Sequence, residues 1–121
     1  MEALEKEYMA ITELNKYYGC IVVSMSGDLT FDRVDQMRKN PDFMYPGKKV
    51  PIIVDLTNVE FIDSRGVAYL IYLSRKHKDD GIAFAGASGP VKKVIHRLCP
   101  GGVIRMFYTL EIASRELRKL I

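Results

Sequence analysis

Apolar runs and apolar stripes divide this chain into elements. Pro51-Ile52-Ile53-Val54 is a short run rich in branched residues, which predicts a buried strand over 51–55. Ile82-Ala83-Phe84-Ala85 is a second buried strand of the same kind. Between them, Val67, Leu70, Ile71 and Ser74 stand at i, i+3, i+4 and i+7, so the spacing predicts a helix over 64–78 with one apolar, small face. Asp79-Asp80-Gly81 closes that helix. Val91, Val94, Ile95 and Leu98 repeat the same spacing, with Pro90 suited to the first turn and Pro100-Gly101-Gly102 ending the helix. Leu56 to Ile62 mixes polar and apolar residues and reads as a connection.

The flanks are read the same way. Tyr8 to Leu14 alternates loosely, as an edge strand does, and Asn15 to Gly19 has turn chemistry. Cys20 to Met25 is the next strand, antiparallel to the first through that hairpin and ended by Gly27. Thr30 or Asp28 caps a short helix with Phe31, Val34 and Met37 on its apolar side, and Asn40-Pro41 stops it. Asp42 to Lys49 shows no clear period. Val103 to Phe107 is a final strand, and Thr109 caps a last helix with Leu110, Ala113, Leu117 and Leu120 on one side. Strand–helix alternation in the second half implies parallel strands with helices packed over them. The expected fold is α/β, a mixed sheet of about five strands with about four helices.

Composition narrows the function. A length of 121 residues suits one domain over 1–121, with a charged lead-in over 1–7. The hydrophobic (48%) and charged (27%) fractions are those of an ordinary soluble domain. The formal net charge of +3 is small, and Arg75-Lys76-His77-Lys78 is followed at once by Asp79-Asp80. No basic stripe forms, so no nucleic-acid partner is expected. Cys20 and Cys99 form no C-x-x-C and read as buried free thiols in a reducing cytoplasm. No apolar run approaches the ~20 residues that span a bilayer, so no membrane insertion is expected. Met1 to Lys6 lacks a signal-peptide core.

Candidate chemistry centres on Asp63-Ser64-Arg65-Gly66, between the 51–62 segment and the helix. Asp63 and Ser64 are both good helix N-caps, and a serine there lies where unpaired backbone N–H groups favour negative charge. Tyr69 and Tyr72 fall away from Val67, Leu70 and Ile71, either as exposed interface anchors or packed under neighbouring loops. Gly86-Ala87-Ser88-Gly89 opens a helix but lacks the Gly-Lys-Ser/Thr ending of a phosphate loop, so a tight turn is the plainer reading. His77 and His96 have no spaced ligand partners; both read as surface residues, with no metal or cofactor expected. There is no G-x-S-x-G, and no histidine is placed as a base, so an enzyme is not expected.

The strand, the Asp-Ser-x-Gly turn and the apolar helix resemble the STAS domain, and within it the bacterial anti-sigma factor antagonists. The resemblance runs from about Cys20 to Ile121. It includes Ser26-Gly27-Asp28-Leu29, Val54-Asp55-Leu56 with Ile62-Asp63-Ser64 and Gly66, and the later Gly-rich turn. It implies that Ser64 is phosphorylated by a serine kinase that is also the anti-sigma factor, and that a phosphatase reverses this. Asp28 matches an acidic position that lies near the phosphorylation site in the family. The implied switch surface is Asp28, Asp63, Arg65, Gly66, Tyr69 and Tyr72. Arg65 departs from the small residue many relatives carry, and residues 40–50 depart from their longer helix. Two other roles fit. One is a STAS subunit of a stress-sensing or membrane-transport assembly, with Ser64 an unmodified contact. The other is a nucleotide or small-ligand domain using Gly86 to Gly89 and the helix start at Ser64.

Overall fold

The computed structural model describes residues 9–12, 19–38 and 50–119. Strand β1 (Met9–Thr12) pairs antiparallel with β2 (Ile21–Leu29), Met9 opposite Met25. Then follow α1 (Phe31–Arg38), β3 (Ile52–Ile62), α2 (Ser64–Lys76), β4 (Ile82–Ala85), α3 (Gly89–Leu98), β5 (Met106–Phe107) and α4 (Leu110–Arg118). The sheet has the order β1-β2-β3-β4-β5, and β2 to β5 are parallel. The expected α/β fold with a mixed sheet is therefore the observed one. The lead-in 1–7, the turn residues 15–18, the Asn40-Pro41 stop, the 42–49 segment and Leu120 lie outside the described residues, as does the side chain of Met37.

Alternation along the strands builds two cores. Ile21, Val23, Met25, Ile52, Val54, Leu56, Ile82 and Phe84 face α1, α2 and α3, whose Val34, Val67, Leu70, Leu73, Val91 and Ile95 complete the larger cluster. The intervening positions Val22, Ile53, Ala83 and Ala85 face the other way, onto Ala113 and Leu117 of α4. The small Ala83 and Ala85 leave room for a helix on that face. Thr109 caps α4 as expected, its Oγ1 accepting from the Ile112 N–H at 3.1 Å.

Several boundaries differ from the sequence reading. Leu56 to Ile62 is the second half of β3 rather than a connection. Its pairing with β2 slips twice, so that Ser24 and Ser26 oppose Asp55 and Asn58, and Gly27 and Asp28 oppose Val59 and Phe61. Each slip inserts one extra residue into β3. The buried positions there become Leu56, Val59 and Ile62, three apart, which hides the strand's two-residue period. Strand β2 runs through Gly27 (φ 79°) to Leu29 instead of ending there. The final strand keeps only Met106–Phe107 of the expected 103–107. Cys20 is buried, and burial pushes its thiol pKa up, which keeps it protonated and inert. Cys99 is only half-buried.

His77 is buried, not at the surface as its sequence context suggests. The inward face of α2 is centred on Gly66, Tyr69, Leu70 and Leu73, and its next position is His77, just past the helix end. The Nδ1 atom lies 3.8 Å from Asp80 Oδ2, and Nε2 has no partner among the described residues. Burial, reinforced by Lys76 and opposed by Asp80, pushes the imidazole pKa below 6.5. The unfolded chain then binds this proton more readily than the folded one. Stability should be full above pH 6.5 and fall as the pH drops below that value. Melting curves on either side of it should show a steeper acid loss for the native chain than for His77→Gln. Parallel losses would show that His77 does not carry the effect.

Candidate functional site

The carboxyl ends of β2 and β3 lie side by side, Leu29 in register with Ile62. Each strand leads within two residues into a helix, α1 after β2 and α2 after β3. Two helix N-termini therefore converge at one end of the sheet, the end where open parallel sheets commonly place their sites.

Asp63 joins the two. It is the N-cap of α2, with extended backbone (φ −107°, ψ −174°), and its Oδ1 accepts from the Gly66 N–H at 2.9 Å. Its Oδ2 accepts from the Phe31 N–H at 3.2 Å, at the first residue of α1. Its own N–H donates to the Leu29 carbonyl at 3.2 Å. The sequence expectation that Thr30 or Asp28 caps α1 is thus incomplete. Thr30 precedes the helix and accepts from the Val34 N–H through its carbonyl, but a side chain from the next helix satisfies Phe31.

Gly66 sets the spacing. A Cβ there would fall inside contact distance of the Leu29 carbonyl oxygen and come within 2.6 Å of Ile62 Cγ1. Only glycine lets the first turn of α2 lie this close to the end of β2.

Ser64 is the first residue of α2 and is exposed. Because Asp63 does the capping, the serine hydroxyl is not committed to the helix. Arg65 is also exposed, its guanidinium 5.0 Å from the centre of the Phe31 ring. Asp28 is exposed at the end of β2, opposite Phe61 in register. Phe31 (52% exposed) and Phe61 (54%) add two large apolar side chains to this end of the sheet. The sequence reading puts Phe31 on the apolar side of α1 and assigns Phe61 no role. Isolated aromatics beside turns carry no periodicity that reveals their exposure.

Tyr72 and Tyr69 part company. Tyr72 is exposed and, eight residues after Ser64, continues the stripe Ser64-Ala68-Tyr72-Lys76, with Lys76 Nζ 5.7 Å from its ring. Tyr69 is buried, which rules out the exposed anchor among its two expected places, and it lies with Val67 and Leu70 rather than away from them. It belongs to the inward face centred on Gly66 and Leu70, and its ring stacks on Tyr72 at 6.2 Å. The Gly86 to Gly89 segment is a tight strand-to-helix turn. Gly86 (φ 78°) lies against Thr57, whose hydroxyl donates to Asp55 Oδ1, and Ser88 Oγ caps α3 by accepting from the Val91 N–H.

Among the described residues, no group of three or more His, Cys, Asp or Glu is placed to hold a metal, and no helix is long and apolar enough to cross a membrane. The arrangement is that of a small α/β domain which presents a serine at a helix start on the rim of its sheet. The STAS domain model matches residues 12–113, and the chain belongs to the STAS domain family.

No curated protein matches the chain. Solved structures share the fold at low identity. A structure described as a candidate anti-sigma factor antagonist from Thermotoga maritima aligns with a TM-score of 0.72 and 18% identity, over 91% of this chain and 94% of its own. The anti-sigma factor antagonist SpoIIAA in its unphosphorylated form aligns with a TM-score of 0.65 and 19% identity, over 93% and 98%. The murine anion transporter Slc26a9 aligns with a TM-score of 0.66 and 16% identity, over 93% of this chain but only 22% of the transporter. The chain thus spans nearly all of SpoIIAA and less than a quarter of Slc26a9.

Proposed function

We propose that the chain is an anti-sigma factor antagonist, a cytoplasmic, non-enzymatic binding module. In its unphosphorylated form it binds an anti-sigma factor serine kinase and so releases a sigma factor. Phosphorylation of Ser64 ends that complex and a phosphatase restores it. The observation that carries this reading is the division of labour at the start of α2. Asp63 takes the cap, leaving the Ser64 hydroxyl exposed at the positive end of the helix.

A phosphate there adds about −1.5 to −2 charges. The helix N-terminus tolerates it, so the fold persists while the surface changes. A partner packed on Ser64, Phe31, Phe61 and Tyr72 then meets a dianion beside Asp63. Like-charge repulsion and the cost of burying the phosphate act against that contact. Arg65, stacked on Phe31, is the local cation a partner's acidic group would read.

The likeness to part of Slc26a9 keeps a second reading in view, a STAS subunit of a larger assembly in which Ser64 is an unmodified contact. Paired pull-downs from the source cell separate the two. The expected result is a serine kinase held by Ser64→Ala and captured at least about tenfold less by Ser64→Glu, a difference of about 1.4 kcal/mol. Equal capture of one large assembly by both baits would replace the switch with the subunit reading.

A further inference from the structure

Strand β5 is an edge of the sheet and pairs with β4 on one side only. The Phe84 N–H donates to the Arg105 carbonyl at 2.8 Å, and the Gly86 N–H donates to the Phe107 carbonyl at 3.1 Å. Main-chain groups of a parallel strand turn to alternate sides along its length. Met106, between those two carbonyls and opposite Phe84, therefore turns its own N–H and C=O to the open side. Neither group has a partner among the described residues.

An open edge is a template for another strand unless something blunts it. Residues 103–118 contain no proline. The charge next to the strand does not block the edge, because the Arg105 guanidinium lies over the Phe107 ring, 5.6 Å from its centre. Both faces beside the edge offer contacts. On the α4 side are the half-buried Phe107 and the exposed Ile112. On the α3 side is Tyr108, 78% exposed, with Lys92 Nζ 4.4 Å from the centre of its ring.

Charge selects the occupant. Residues 89–119 form α3, β5 and α4 and carry seven lysines and arginines against two glutamates. Of the two, Glu116 is paired with Lys119. A second copy joined β5 to β5 would bring these cations face to face, and like charges across paired strands repel. An acidic strand meets them with opposite charge.

We propose that β5 is a docking edge for an extended acidic segment of another protein, added as a further strand. The segment's main chain pairs with the Met106 N–H and C=O. Its carboxylates lie on the α3 side near Lys92, and its apolar side chains lie on the α4 side against Phe107 and Ile112.

Amide NMR titration of the whole chain with the blocked peptide Glu-Val-Glu-Val-Glu tests this. Saturable binding is expected, with the Met106 amide exchanging at least about tenfold more slowly in the complex. Met106→Pro removes the outward N–H but no bond to β4, so it should abolish binding and leave the melting temperature nearly unchanged. Lys92→Glu leaves the strand intact and should weaken binding about tenfold. Ser64→Glu should leave it unchanged, so the result stands apart from the phospho-switch. The proposal would be overturned by no saturable binding, by binding that survives Met106→Pro, by undiminished affinity in Lys92→Glu, or by equal binding of Lys-Val-Lys-Val-Lys.

Discussion

Gly66→Ala should lower the stability of this domain by about 2 kcal/mol, although alanine is the better helix former. The added methyl would collide with the Leu29 carbonyl, which is backbone fixed in the sheet, and with Ile62. Relief requires α2 to move outward. That movement loosens the bond from the Asp63 N–H to the same carbonyl. Overpacking of this kind costs about 3 kcal/mol at the upper end of its usual range. Alanine's helix propensity returns about 1 kcal/mol. The net loss corresponds to roughly 6–10 °C in melting temperature for a domain of this size. Gly101→Ala is the control, because a Cβ there meets nothing within 4 Å. It should leave the melting temperature unchanged or raise it slightly. Equal tolerance of both substitutions would show that α2 does not rest on β2 as described.

Asp63→Ala should cost a similar amount, about 2 kcal/mol, because it removes two caps together. Each cap is worth about 1 kcal/mol, and Asp63 serves the Gly66 N–H with one oxygen and the Phe31 N–H with the other. Asp63→Asn gives the sharper test. Its amide keeps one acceptor oxygen and replaces the other with a donor. The loss on Asp63→Asn should therefore be about half that on Asp63→Ala in chemical denaturation. If asparagine matched aspartate, only one of the two bonds would matter to stability.

Much of this fold was legible because local pattern and tertiary role agree. The i, i+3, i+4, i+7 stripe of α3, the run at Ile82–Ala85 and the Thr109 cap each satisfy their own segment's physics, and the structure keeps them. The misreadings occur where a distant part of the chain decides. The second half of β3 has its buried residues three apart because two extra residues are absorbed against β2, which no window on β3 alone reveals. Tyr69 and His77 turn inward because the buried face of α2 is centred on Gly66, and a glycine adds nothing to an apolar count. The Asp-Ser-x-Gly turn lies between β3 and α2, the strand and helix expected to flank it. Its second partner lay beyond reach, because Phe31 is 32 residues away from the carboxylate that caps it.

The glycine contact also bears on how a partner meets this surface. With no slack between α2 and the Leu29 carbonyl, the serine at the head of the helix is held in place before any encounter. A partner need not freeze a wandering loop to grip it, so little of the binding energy goes to ordering the chain. Under the proposed switch, association then resembles a key meeting a lock, and a phosphate on the serine would change the key's cut rather than its shape as a whole.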